Sequence, residues 1–263
     1  TSRPGPVMIP RLSGSLLSPA VLAEVVPVSL RGLLDEAGCE AARRRLRAWH
    51  VPLRAELGPA LSLRGVFDRL GEPLLSALGY HVVPADATTE RFRAVLEQDG
   101  VPRATLLVTL WGQQPSSAWR DAVRLGIGQG ERWCFCLTGP RLRIVDSTRT
   151  YSRQFVEFDV ETAVESEATF AVLWGLLRAT AMSGSGAAPR PLLERAVELT
   201  EQHRASVRTS LQQGVHAALE HLTRALSMAG RARATAPAPG GEAMAAAGAT
   251  AVAASPAASG AAA

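Results

Sequence analysis

From Ala104 to Leu110 the chain reads ATLLVTL, an unbroken run of Leu, Val, Thr and Ala without a charge. A strand with one wet face would alternate polar and apolar side chains, so this run predicts a strand covered on both faces. Around it the spacing of apolar residues predicts a series of further elements. Ser29 to Ala48 reads as a helix, with Leu30, Leu33, Leu34, Ala37, Ala41 and Ala42 near one face and Arg43, Arg44, Arg45 and Arg47 crowded at its end. Ser62 to Leu78 repeats the pattern and Gly79 supplies the stop. Tyr80 to Val83 begins a strand, Glu90 to Leu96 continues it as a hairpin, and Ser116 to Leu125 returns to helix. Trp133 to Leu137 and Leu142 to Asp146 are strands about the turn Gly139-Pro140; Phe155 to Val160 is a further strand, and Phe170 to Thr180 a closing helix.

The fold class expected is α/β (α+β), with a mixed central sheet flanked by helices and then a long C-terminal helical segment. Residues 1–60 form a helical lead and 61–182 the core. Residues 190–228 form one helix or a helical pair, because Leu193, Ala196, Leu199, Val207, Leu211, Val215, Leu219, Leu222 and Leu226 recur near a helical period. Such length suggests packing against another domain. Residues 229–263, nearly all Ala, Gly, Pro, Ser and Thr, hold too little large apolar surface to fold and are expected to be disordered.

Composition narrows the chemistry. The 263 residues contain 28 basic side chains, every one an arginine, and a net charge of +4. Without lysine there is no Schiff base and no lysine-assisted phosphodiester transfer. The basic excess suits an anionic partner, and it suits equally a coding bias that favours Arg over Lys. Three cysteines make no disulfide framework; Cys134 and Cys136 alternate along a strand and share one face, as small apolar core residues would. A reducing cytoplasm is the expected location. No apolar run reaches the ~20 residues that a membrane span needs. His203, His216 and His221 lack the i, i+4 spacing of a metal pair. A first residue of Thr hints that the chain is cut from something longer.

The order helix, strand, strand, strand, helix, strand across Ser62 to Leu142 resembles the core of PD-(D/E)XK nucleases. Trp111-Gly112, Trp119-Arg120, Trp133 to Gly139, Leu142 to Asp146 and Tyr151 to Asp159 resemble the N-terminal domain of type IIG restriction-modification enzymes, in which an endonuclease-like domain is fused to an adenine methyltransferase. The resemblance covers roughly Met8 to Leu226. In such nucleases an acid on one strand, and an acid and a lysine two apart on the next, hold a divalent metal and activate water. Here Leu107 and Thr109 occupy the Glu and Lys places, and Thr138-Gly139-Pro140 stands for the turn that carries Thr-Asn-Gly in active relatives. The resemblance therefore implies a degenerate nuclease with no catalytic residues and no resident metal.

Asp86, Glu90 and Glu131 are the acids left as weak metal candidates for the alternative, an active Mg²⁺-dependent endonuclease with migrated ligands. No Asn-Pro-Pro-Tyr/Phe loop can be built in a chain without Asn, and no cofactor motif appears, so S-adenosylmethionine would belong to a separate methyltransferase region. Arg120, Arg124, Arg132, Arg141, Arg143, Arg149 and Arg153 fall in one block of connected elements and are the candidate nucleic-acid-binding residues. They suit a duplex-facing groove. They suit as well a solvated surface bridged to Glu131, Asp146, Glu157 and Asp159. The expected function is a DNA-positioning or scaffold domain, with double-stranded DNA and a methyltransferase domain or subunit as partners; a purely protein-binding adaptor is the third reading.

Overall fold

The computed structural model describes residues 12–22, 26, 35–113, 115–150, 153–183 and 190–235. They divide between two compact units, residues 1–207 and 208–263.

The first unit is built on one seven-stranded sheet in the order β1-β7-β6-β5-β4-β3-β2. The strands are β1 (Leu12–Gly14), β2 (His81–Ala87), β3 (Arg91–Gln98), β4 (Val101–Thr109), β5 (Trp133–Thr138), β6 (Arg141–Asp146) and β7 (Phe155–Asp159). All neighbours are antiparallel except β4 and β5, which run parallel. A parallel pair needs a crossover, and α4 (Pro115–Gln129) provides it. The mixed sheet expected from the sequence is thus present, and the run ATLLVTL, up to Thr109, forms most of the interior strand β4: Ala104 to Val108 are buried, with Leu106 and Val108 against one layer of helices and Leu107 against α4.

Turn chemistry sets the hairpin registers. Asp99 and Gly100 both take left-handed backbone, φ 53° and 74°, which is what a two-residue type I′ turn requires between Gln98 and Val101. Gly139, φ 62°, opens the Gly139-Pro140 turn, and a Cβ there would stand 2.6 Å from the Trp111 ring. That turn therefore needs glycine twice over, for its backbone and for the indole laid against it.

The opposite face of the sheet carries the main core under α1 (Glu36–Leu53), α2 (Leu63–Val66), a π turn (Phe67–Gly71), α3 (Glu72–Ala77), α5 (Val160–Glu165), α6 (Glu167–Leu177) and α7 (Ala179–Ser183), together with the first turns of α8 (Leu192–Thr235). Side-chain caps start several of these helices: Asp35 accepts from the Gly38 amide at 3.0 Å, Ser62 from Gly65 at 3.1 Å and Asp159 from Thr162 at 2.8 Å. The π turn ends one residue short of Pro73, which offers no amide to an i−4 carbonyl, and the Glu72 amide donates to the Phe67 carbonyl five residues back, so the helix widens by one residue there.

Three boundaries differ from the sequence expectation. The first helix begins after Asp35, residues 29–34 lie outside the described residues, and it runs on to Leu53 with Pro52 in its last turn, so Arg43 to Arg47 sit mid-helix; Arg43 and Arg44 pair with Glu40 one turn back instead of capping an end. The closing helix breaks at Arg178, whose extended ψ of 147° separates α6 from α7. Finally, α8 continues past Ala229 to Thr235, since Ala and Arg are strong helix formers; residues 236–263 lie outside the described residues.

All three cysteines are reduced and buried. Burial pushes the Cys39 thiol up to about 11, and Cys134 is raised by its hydrogen bond to Cys136 and then by burial. Thiolate is the reactive form, so at pH 8 an aromatic disulfide reagent is expected to modify none of the three until the protein is unfolded. Rapid labelling of the native protein would contradict the burial of all three.

The second unit is described through the helical residues 208–235. Leu211, Val215, Leu219, Leu222, Leu226 and Met228 are each 56–72% exposed. The first five recur at intervals of three and four and so form one apolar stripe. No helix among the described residues is long and apolar enough to cross a membrane.

Candidate nucleic-acid interface

The face of the sheet beneath α4 is the unusual one. Strand alternation sends Phe92, Ala94 and Leu96 of β3 into the main core, and so sends Arg91, Arg93 and Val95 to the α4 side. The same parity puts Thr105, Leu107 and Thr109 of β4, Cys134, Cys136 and Thr138 of β5, Arg141, Arg143 and Val145 of β6, and Phe155 and Glu157 of β7 on that side. α4 covers its middle with Ala118, Ala122 and Val123, closing a small cluster with Leu107, Cys134, Cys136 and Val145. Gly126 allows the approach: a Cβ there would meet Ser147 at 2.4 Å.

Polar rows flank that cluster. On the β6–β7 side, Arg143 donates from Nε and Nη2 to one oxygen of Glu157, at 2.9 and 2.8 Å, and lies 3.7 Å over the Phe155 ring. The two are direct cross-strand partners with side chains only 11% and 9% exposed. Arg141 approaches the same carboxylate at 3.7 Å.

Asp146, its side chain fully buried, accepts from Arg132 Nε and Nη2 at 3.2 and 3.1 Å and from the Thr148 amide and hydroxyl at 3.1 and 2.5 Å, with Arg149 Nε at 3.5 Å. Arg132 also reaches Glu194, and Arg149 reaches Glu201, which ties the start of α8 to the end of the sheet. Four of the seven sequence-predicted arginines, 132, 141, 143 and 149, are thus engaged with carboxylates inside the protein. The bridging to Asp146 and Glu157 that the sequence allows is what their geometry displays. Arg120, Arg124 and Arg153 are exposed, with no ion pair among the described residues.

On the β3 side stand two residues that sequence reasoning misses, Arg91 and Arg93, although RFRAVLEQ alternates charge with apolar residues along a strand. Arg91 pairs with Asp121 of α4 at 3.0 Å. Arg93 is half-buried, and its Nε is buried without a hydrogen-bond partner. Directly across from these two residues stand Thr109 and Leu107 respectively.

The degenerate pair expected from the sequence therefore occupies adjacent inward positions of β4, with Leu107 in the apolar cluster and Thr109 4% exposed, its hydroxyl buried and unpartnered. Four of the six such orphaned polar atoms among the described residues, on Arg93, Thr105, Thr109 and Trp119, belong to this one face.

The three weak metal candidates are not gathered. Asp86 lies on β2 opposite Arg93; Glu90 sits in the exposed turn before β3; Glu131 follows α4, and burial raises its carboxyl, with Arg103 opposing. Among the described residues no group of three His, Cys, Asp or Glu side chains lies close enough to share an ion.

A cavity of about 130 Å³ opens elsewhere, lined by His50, Arg54, Leu70, Trp111, Pro140 and Glu161. Arg54 bridges Glu161 across its rim. Burial lowers the His50 imidazole below its ordinary 6.5, with Glu161 opposing. The unfolded chain then binds the proton more readily, so this residue's contribution to stability is complete above about pH 6.5 and is lost as pH falls toward the depressed folded value. The Tm advantage of the wild type over His50→Gln is expected to shrink between pH 7.5 and 5; a constant difference would contradict this.

Comparison with protein-family models, with curated proteins and with solved structures found no match.

Proposed function

We infer that the chain is a non-cleaving, DNA-positioning domain with a PD-(D/E)XK-like core, serving a type IIG-like adenine methyltransferase region. Support for the core comes from connectivity: α3, β2, β3, β4, α4 and β5 follow the order helix, strand, strand, strand, helix, strand, with two antiparallel pairings and then a parallel one. The observation that carries the functional reading is the pair Leu107 and Thr109 beside Arg91 and Arg93. Where hydrolysis would need carboxylates around a cation, these adjacent strands present an alkyl chain, a hydroxyl and two guanidinium groups. A guanidinium repels a divalent ion and attracts a phosphate, so the site suits holding a polynucleotide and opposes the metal that would cut it.

The exposed arginines of α4 supply further backbone contacts, because Arg120 and Arg124 have no internal carboxylate to satisfy. The apolar stripe of residues 211–226 supports the protein-partner half of the reading, since a helix that leaves this much Leu and Val in water is suited to bury it on another surface. The methyltransferase region is the partner we assign to it.

Changing Arg120 and Arg124 together to Ala is expected to leave the thermal midpoint within about 1 °C, as exposed side chains without partners allow. It should lower the salt slope of duplex binding by about two units, roughly one for each phosphate no longer neutralised. An unchanged slope would place DNA elsewhere on the molecule. Cutting of plasmid with Mg²⁺ or Mn²⁺, abolished by Ala at Asp86, Glu90 and Glu131, would overturn the non-cleaving reading.

A further inference from the structure

We propose that Arg93, assisted by Arg91, forms an oxyanion subsite on the β3 side of α4, with a phosphate group as its ligand. The inference deepens the nucleic-acid reading above and rests on it for the source of the phosphate. Its starting point is the unmet hydrogen bonding of Arg93. The side chain is half-buried, its Nε is buried with no acceptor, and it makes no ion pair or hydrogen bond among the described residues.

A guanidinium has five donors in a planar fork; burying the Nε donor of Arg93 without an acceptor costs free energy that an acceptor arriving from outside would recover. The neighbours sharpen the picture. Asp86 is the register partner of Arg93 on β2 and yet forms no bridge to it. Arg91 lies on the same face two residues away, and its partner Asp121 is itself partly exposed at 3.0 Å, a pairing that solvent screens and an arriving anion can compete with. Thr109, opposite Arg91 and diagonal to Arg93, adds a second unmet polar group on the same face.

Phosphate fits this set better than carboxylate does, because two forked donors two residues apart on one face of a strand can engage separate oxygens of a tetrahedral group. That phosphate could belong to a DNA backbone or be free in solution, and two probes distinguish the sources.

The test uses the full chain and four proteins: wild type, Arg93→Gln, Arg93→Lys and Asp86→Asn. Fluorescence anisotropy with a 20-base-pair duplex and thermal shift with inorganic phosphate are the two readouts. Arg93→Gln is expected to weaken duplex binding roughly tenfold, and Arg93→Lys to recover part of it, since charge returns without the fork. Asp86→Asn is expected to tighten binding about threefold by removing the competing carboxylate, an effect in the opposite direction that a misfolded variant would not produce.

If the wild type binds duplex and Arg93→Gln binds it equally well, the subsite is wrong while the nucleic-acid reading stands. If no duplex binds, but phosphate raises the wild-type midpoint and not that of Arg93→Gln, the subsite stands with free phosphate as its ligand, and the nucleic-acid reading falls. If neither probe distinguishes the wild type from Arg93→Gln and no duplex binds, both are overturned.

Discussion

Replacing Glu157 by Ala is expected to lower the unfolding free energy by about 3–5 kcal/mol, the largest effect of any single polar change in the sheet. Glu157 is the carboxylate to which Arg143 donates twice, and Arg143 has nowhere else to go: its side chain is 11% exposed, stacked on Phe155 and flanked across the ladder by Cys136. Removing the acid leaves a guanidinium buried without a counter-charge, a cost greater than the pair's own net worth. The double change Arg143→Met and Glu157→Leu, which removes both charges and keeps the volume, should recover most of the loss. Urea unfolding of the wild type and the two variants checks both statements. A single change costing under about 1 kcal/mol, or a double change costing more than the single one, would contradict the assignment of Arg143 to a structural pair.

Asp146→Ala is expected to cost about 3 kcal/mol by a related route. Its buried carboxylate joins Arg132 and Arg149 and closes the turn at Thr148, and those two arginines continue to Glu194 and Glu201. The cost falls short of the Glu157 case because Arg132 and Arg149 are partly exposed and keep their second carboxylates. Asn at this position retains the shape and one acceptor oxygen, so Asp146→Asn should retain about half of the stability that the Ala variant forfeits. Hydrogen exchange offers a second reading, with protection expected to fall first in residues 192–200, where α8 meets the sheet. A variant as stable as wild type would show that the two arginines are satisfied without Asp146.

The sheet is legible in the sequence because its central strands carry the signals that burial imposes. The charge-free run ATLLVTL points to a strand buried on both faces, as Ala104 to Thr109 is, and the alternation of Arg141 and Arg143 with Leu142 and Ile144 declares two different faces without knowledge of any neighbour. β1 is not legible, since Leu12–Gly14 is too short for a period of two to register.

The roles of the arginines are harder to read, for a physical reason. Residues 143 and 157 become partners only through the β6–β7 register, and 132 and 146 only through the β5–β6 hairpin, so their chemistry depends on pairing that local sequence does not encode. Arg91 and Arg93 alternate with Phe92 and Ala94 in plain view, yet nothing local marks them as a site. What marks them is their position beside Leu107 and Thr109, which only strand order reveals.

The claim that this face holds phosphate without hydrolysing it is tested most directly by the affinity for a duplex as a function of salt, with the DNA recovered afterwards. With Arg91, Arg93, Arg120 and Arg124 as backbone contacts, log K against log salt is expected to fall with a slope of roughly −3 to −4. The recovered strands should be intact after incubation with Mg²⁺. A slope near zero, or binding accompanied by metal-dependent nicking, would contradict it.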